Sequence, residues 1–195
     1  MKNFRHLVWA VAALLTTGAY ARPPKFGEAF LEAYRAGYQK LQGKQYDAAR
    51  KHFERAVDLA ADNREAGPAY VRVAECLQAQ RQWAAAAASY EQALDRPIPG
   101  KHEKSLRRQP HVEEAIKQLS LLYAGKLKQF DKAEAVLKRM QAYEGVHAHH
   151  LARAMTQLAS ACARQGQHER GARIMGEALE IDGLNDDWRA RLLVD

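Results

Sequence analysis

Long apolar runs are absent from this chain of 195 residues. The stretch that comes nearest, Leu7–Leu15, falls short of the roughly 20 apolar residues that span a bilayer. No later segment is apolar enough to cross a membrane. Proline is scarce, at six residues, while alanine dominates the apolar set, a mix that favours helices over sheets. Nothing resembles a nucleophile–base arrangement, a phosphate-binding loop or a zinc-protease helix, so catalysis is not expected. Cysteine occurs twice, at Cys76 and Cys162. In an exported chain such a pair first suggests a disulfide, a question that the repeat pattern reopens below.

The amino terminus is the first informative feature. Lys2, Arg5 and His6 precede the apolar stretch, and small residues follow it through Ala19 and Ala21. A basic start, a short apolar segment and small residues one and three places before a cut form the pattern of a secretory signal. Cleavage is expected near Ala21, with Ala19 as second choice and an uncleaved anchor as the alternative. The expected location is the periplasm or the medium. Formal charge is +7, from 30 Lys+Arg against 23 Asp+Glu. The excess is spread over many segments and gives a weak argument for nucleic acid, which is not expected as a partner.

Self-similarity follows. Tyr46, Trp83, Phe130 and His168 each precede by three positions a small residue: Ala49, Ala86, Ala133 and Gly171. Four further on stand Phe53, Tyr90, Leu137 and Met175, and three beyond these Ala56, Ala93, Met140 and Ala178. Steps of three and four keep these residues on one helical face. A small residue in mid-face lets a second helix approach, and the large one fills the space beside it. An amphipathic segment precedes each of these helices: 30–41, 69–79, 112–124 and 152–163. Gly37, Ala74, Leu121 and Ala159 occupy the matching close-contact position. Short polar turns such as Gln42-Gly43-Lys44-Gln45 join the two, with glycine suited to the left-handed conformation that closes a helix. The reading is all-α, with units at about 30–63, 67–100, 114–147 and 152–185, a lead-in at 22–29 and a capping helix within 186–195.

On Gly37, Tyr46, Ala49, Phe53 and Ala56, and again on Ala74, Trp83, Ala86, Tyr90 and Ala93, the chain resembles the tetratricopeptide repeat family. The third copy is degenerate, and no copy has the family's closing proline, since Ala61, Ile98, Gly145 and Gly183 stand in its place. The resemblance implies a right-handed superhelix of about four helix pairs. It also implies a scaffold that holds a protein or peptide on the concave wall lined by the first helix of each pair, as a monomer or weak oligomer without cofactor. The inward positions are Tyr34, Tyr38 and Leu41; then Arg72, Glu75 and Gln78; then Gln118 and Leu122; then Arg153, Thr156, Ser160 and Arg164. Tyrosines supply rigid amphipathic area, and arginines supply donors for carboxylates. Relatives that bind chaperone tails use a two-carboxylate clamp of Lys, Asn and Arg. The matching places here hold Tyr34, Tyr38, Arg72 and Leu119, so that activity does not carry over.

Three features remain. The stretch 96–110 carries Arg96, Lys101, Lys104, Arg107 and Arg108 among three prolines. It reads as a basic loop whose alternative use is contact with an anionic envelope polymer or membrane. His147, His149 and His150 form a dense imidazole group but lack partners at metal-site spacing, and no metal is expected. Cys76 and Cys162 lie on first helices two units apart, on the order of 20 Å at roughly 10 Å between packed helices. A disulfide needs α-carbons within about 7 Å, so both are expected as small buried residues.

Overall fold

The computed structural model describes residues 27–97, 109–144 and 146–192. The signal-like segment and the basic positions Lys101, Lys104, Arg107 and Arg108 lie outside the described residues.

The helix-turn-helix period places eight helices in four antiparallel pairs: α1 (Glu28–Gln42) with α2 (Tyr46–Leu59), α3 (Asn63–Ala79) with α4 (Trp83–Leu94), α5 (Pro110–Leu121) with α6 (Phe130–Gln141), and α7 (Ala148–Arg164) with α8 (His168–Leu179). A last helix, α9 (Asp186–Leu192), packs on α7. The described residues contain no strand. The architecture is an all-α, tetratricopeptide-like helical repeat.

Packing begins at the small residues. A methyl group added to Gly37 would stand 2.8 Å from the Phe53 ring, and one added to Gly171 would stand 2.9 Å from the Ala159 carbonyl. Both distances are below van der Waals contact, so the pairs sit as closely as they do because those side chains are missing. Ala49, Ala86 and Ala133 are fully buried in the equivalent places. The main core then runs from Phe53 in the first pair through Tyr90, Leu119, Leu137 and Leu158 to Ala178 in the last. Cys76 and Cys162 are buried in it with free thiols.

Each turn within a pair carries a left-handed residue at the same place. One residue takes a left-handed φ two positions before the second helix: Lys44 at 56°, Arg81 at 61°, Lys128 at 58° and Gly166 at 76°. The expectation that Gly43 does this is corrected, since its φ is −78°. In the first, second and fourth pairs the next residue donates its N–H five residues back: Gln45 to Lys40, Gln82 to Leu77 and Gln167 to Cys162. In the third pair Gln129 reaches six residues back, to Tyr123. The extra residue is absorbed by a π-helical turn, Leu122–Leu127, that ends α5; such turns accommodate single insertions in a helix. The equivalent of Gly37, Ala74 and Ala159 is therefore Ser120, which is buried, and not Leu121, which is 43% exposed.

Two helices also start earlier than their apolar periodicity indicates, at Asn63 and Ala148 rather than Ala69 and Ala152. At the first of these, the Asp62 carboxylate accepts the N–H groups of Arg64 and Glu65, and Glu65 accepts that of Ala61. This reciprocal cap nucleates the extra turn. On the outer layer, Arg170 bonds Glu134 and Asp131, at 2.6 Å each, and ties α8 to α6. Arg139 bonds Asp95 and the Leu94 carbonyl, at 2.8 Å each, and ties α6 to the end of α4.

The second and third pairs meet at His111. Its ring is buried against α3 where Gly67 has no side chain: an added methyl there would lie 2.3 Å from the imidazole. Nε2 lies 2.8 Å from the Arg96 carbonyl and donates to it as N–H, while Nδ1 is buried without a partner. Arg96 itself lies over the Tyr70 ring, 4.6 Å from its centre, and bonds Gln92. It is fixed in the fold rather than free in a basic loop. Burial pulls the His111 pKa below that of free imidazole, against a smaller upward effect of the carbonyl. The folded state therefore keeps a neutral ring where the unfolded chain takes up a proton. The stabilisation this provides is present above the unfolded pKa of about 6.5 and is lost as pH falls below it. Urea titrations from about pH 8 to about pH 5 are expected to show falling stability on acidification. His111→Gln, which keeps a donor at similar reach but does not titrate, is expected to flatten that slope.

Candidate functional site

Stacking the pairs aligns their first helices α1, α3, α5 and α7 into one wall. Over the first three units that wall is occupied by its own side chains. Tyr34 stacks on Phe30 and meets Phe53 edge-on, at ring separations of 5.5 and 5.4 Å. Its hydroxyl accepts from Arg72 Nε at 3.2 Å. The Arg72 guanidinium donates to Glu75 and lies over the Tyr38 ring, 5.8 Å from its centre. Burial opposes the charge on Arg72, but the bonds to Glu75 and Tyr34 outweigh it and hold the pKa above the ordinary guanidinium value. The Tyr90 hydroxyl donates to Gln78, which donates in turn to Gln118 at a long 3.5 Å. Gln118 also donates to Glu114 at 2.8 Å. Leu41 is half-buried against the core. Only Tyr38 in this stretch of expected wall residues keeps a large exposed face, at 43%.

The pattern changes at the π-turn. Leu122, expected on the wall, is buried to 1%. The inserted residue rotates the helix so that Leu121 takes the wall position equivalent to Tyr38 and Glu75. Thr156 is buried too, with its hydroxyl donating to the Ala152 carbonyl at 2.9 Å. Ser120 beside Leu121 was a legible signal: it is the nearest small residue to the expected close-contact position.

Between this turn and α7 lies a groove of about 370 Å3. Ser120, Leu121, Ala124 and Gly125 form one side. Arg153, Gln157, Ser160 and Arg164 line the other, with buried Thr156 also among the lining residues. Arg153 and Arg164 are exposed and make none of the ion pairs found among the described residues. The wall thus has a closed part, where donors and acceptors satisfy one another, and an open part, where they do not.

The histidine group sits at the amino terminus of α7. The rings of His147, His149 and His150 lie 4.3–5.8 Å apart, and His149 stacks on Trp188 of α9 at 4.9 Å. Burial, Lys117 and His149 push the His150 pKa down. Among the described residues no group of three or more His, Cys, Asp or Glu is placed to hold a metal ion. His149 instead helps seat α9 through Trp188, and just before that helix Leu184 packs on Ala152.

Residues 33–63, nearly all of the first helix pair, match a family model described as Tetratricopeptide repeat. No curated protein matches the chain. Repeats of this family suggest a scaffold for contacts between proteins, consistent with a wall of first helices that ends in an unfilled groove.

The two kinds of arginine are separable by stability. Arg72→Ala strips Tyr34 and half-buried Glu75 of their donor and is expected to cost about 1–2 kcal/mol. Arg153→Ala and Arg164→Ala are each expected to stay within about 0.5 kcal/mol of the parent. Urea midpoints of the three variants measure the difference; equal losses would contradict the assignment of bonded and free arginines.

Proposed function

We propose that this chain is an exported scaffold that holds an extended segment of a partner protein along the wall of its first helices, with the main contact in the groove between the third and fourth units. Export is supported by the basic, apolar and small-residue succession from Lys2 to Ala21. Holding is supported by the repeat itself and by one observation above all. The groove concentrates apolar area, an amide, hydroxyls and two unpaired guanidinium groups on a rigid helical frame. Such a mixture of apolar area and convergent polar groups is what binding pockets use to fix orientation. Tyr38 extends the same surface toward the first unit with rigid aromatic area of the kind that dominates binding energy at interfaces.

Selection from a random displayed-peptide library on the full-length chain tests this reading. Peptides of micromolar affinity are expected to be recovered, and their binding is expected to be lost on Gly125→Leu, which fills the groove. Failure to recover any peptide, or peptides indifferent to Gly125→Leu, would contradict it.

A further inference from the structure

Resting on the groove reading above, we infer that its occupant is an acidic peptide segment, extended, with two carboxylates about five residues apart on either side of a small apolar side chain. Charge complementarity carries the inference. Twelve residues line the groove and none is acidic, while both of its charged residues are arginines. Elsewhere in the array arginines at the joints between helices are already bonded to carboxylates: Arg72 to Glu75, Arg139 to Asp95, and Arg170 to Glu134 and Asp131. Arg153 and Arg164 face a groove that offers them none. An occupant that supplies carboxylates complements them.

Spacing gives the form of the segment. Arg153, Gln157, Ser160 and Arg164 follow one another at steps of four, three and four, which keeps all four on one face of α7. The two arginines are three turns apart, roughly 16 Å along the axis. An extended chain covers that distance in about five residues. Gln157 and Ser160, between the arginines, carry the donor and acceptor pairs that match a peptide backbone. Opposite them Leu121, 43% exposed, and Ala124 form an apolar side that takes a small side chain. No aromatic residue lines the groove, so it has no platform on which nucleic-acid bases could stack.

The π-turn makes this site. It rotates Leu121 onto the wall, and it leaves Gly125 with open space around any added side chain: nothing lies within 4 Å of a Cβ built there. A side chain at Gly125 meets no clash at its Cβ and adds bulk to the lining of the groove, so Gly125→Leu is the control for the charge variants.

Fluorescence anisotropy with labelled peptides of about eight residues tests the inference. One peptide carries Glu at two places about five positions apart with Ala and Leu between them; its match carries Gln at both. Each is made with a free and with an amidated C-terminus, which separates side-chain from C-terminal carboxylates as the source. The Glu peptide is expected to bind the full-length chain and to weaken with added salt. Loss of each carboxylate, Arg153→Glu and Arg164→Glu are each expected to weaken it by about tenfold or more. Gly125→Leu is expected to abolish binding. A Gln peptide that binds equally well, yet is lost on Gly125→Leu, would overturn the acidic class and leave groove binding standing. A peptide insensitive to the arginine reversals and to Gly125→Leu would overturn the site as well. Polyphosphate binding that depends on both arginines, with no binding of the Glu peptide, would overturn the peptide assignment.

Discussion

Every unit of this protein depends on how closely two antiparallel helices approach. The approach is permitted by an absence. At Gly37 the place of a side chain is taken by the Phe53 ring, and at Gly171 by the carbonyl of Ala159. Helix propensity alone favours alanine over glycine by about 1 kcal/mol. A methyl at 2.8 Å from a fully buried ring meets a core that cannot yield without moving neighbours, so close packing decides the residue. With the distance within each pair set this way, the first helices line up on one side and the second helices on the other. The outer layer is then tied by Arg139 and Arg170, and the inner layer becomes the wall.

The wall is not uniform, and the reason is a single inserted residue. Gln129 reaches six residues back where its counterparts reach five, and the π-turn from Leu122 to Leu127 takes up the excess. The second helix of the third unit keeps its place, as the burial of Phe130, Ala133 and Met140 requires. The end of the first helix therefore rotates instead. Leu122 is turned into the core and Leu121 out to the groove. Upstream of this point the bonds from Tyr34 to Arg72 and from Tyr90 through Gln78 and Gln118 to Glu114 satisfy most polar groups of the wall. Downstream, Arg153 and Arg164 have no internal acceptor. The boundary between a surface bonded to itself and one with unpaired arginines falls at the π-turn.

Much of this was legible in the residues. The second-helix positions of the first three copies fall where steps of three and four put them, whereas in the fourth copy Gly171 and Ala178 are buried but His168 is exposed and Met175 only half-buried. Three of the four close-contact residues of the first helices fall in place too. The third was displaced by one position. Counting back from Phe130 assumes a regular α-helix, and a π-turn has no side-chain signature that breaks the count; only Ser120 beside Leu121 hinted at it. Glycine's freedom points to the left-handed residue at Gly166, but in the first turn Lys44 takes it rather than Gly43, where the Gln45–Lys40 bond closes the same geometry. Thr156 looked like a wall residue by spacing, but its hydroxyl finds the Ala152 carbonyl one turn back and needs no solvent. Arg72 and Arg153 look alike in the sequence. Only the fold reveals that one has Glu75 and Tyr34 beside it and the other has none.

A wall that is closed over its first three units and open at its last joint makes a claim about where contact occurs. Backbone-amide chemical shifts of the labelled chain, followed during titration with the doubly acidic peptide, measure this most directly. The perturbed amides are expected to cluster in Ser120–Gly125 and Arg153–Arg164. Perturbations centred instead on Tyr34–Leu41 and Arg72–Gln78, or scattered over the second helices, would contradict it.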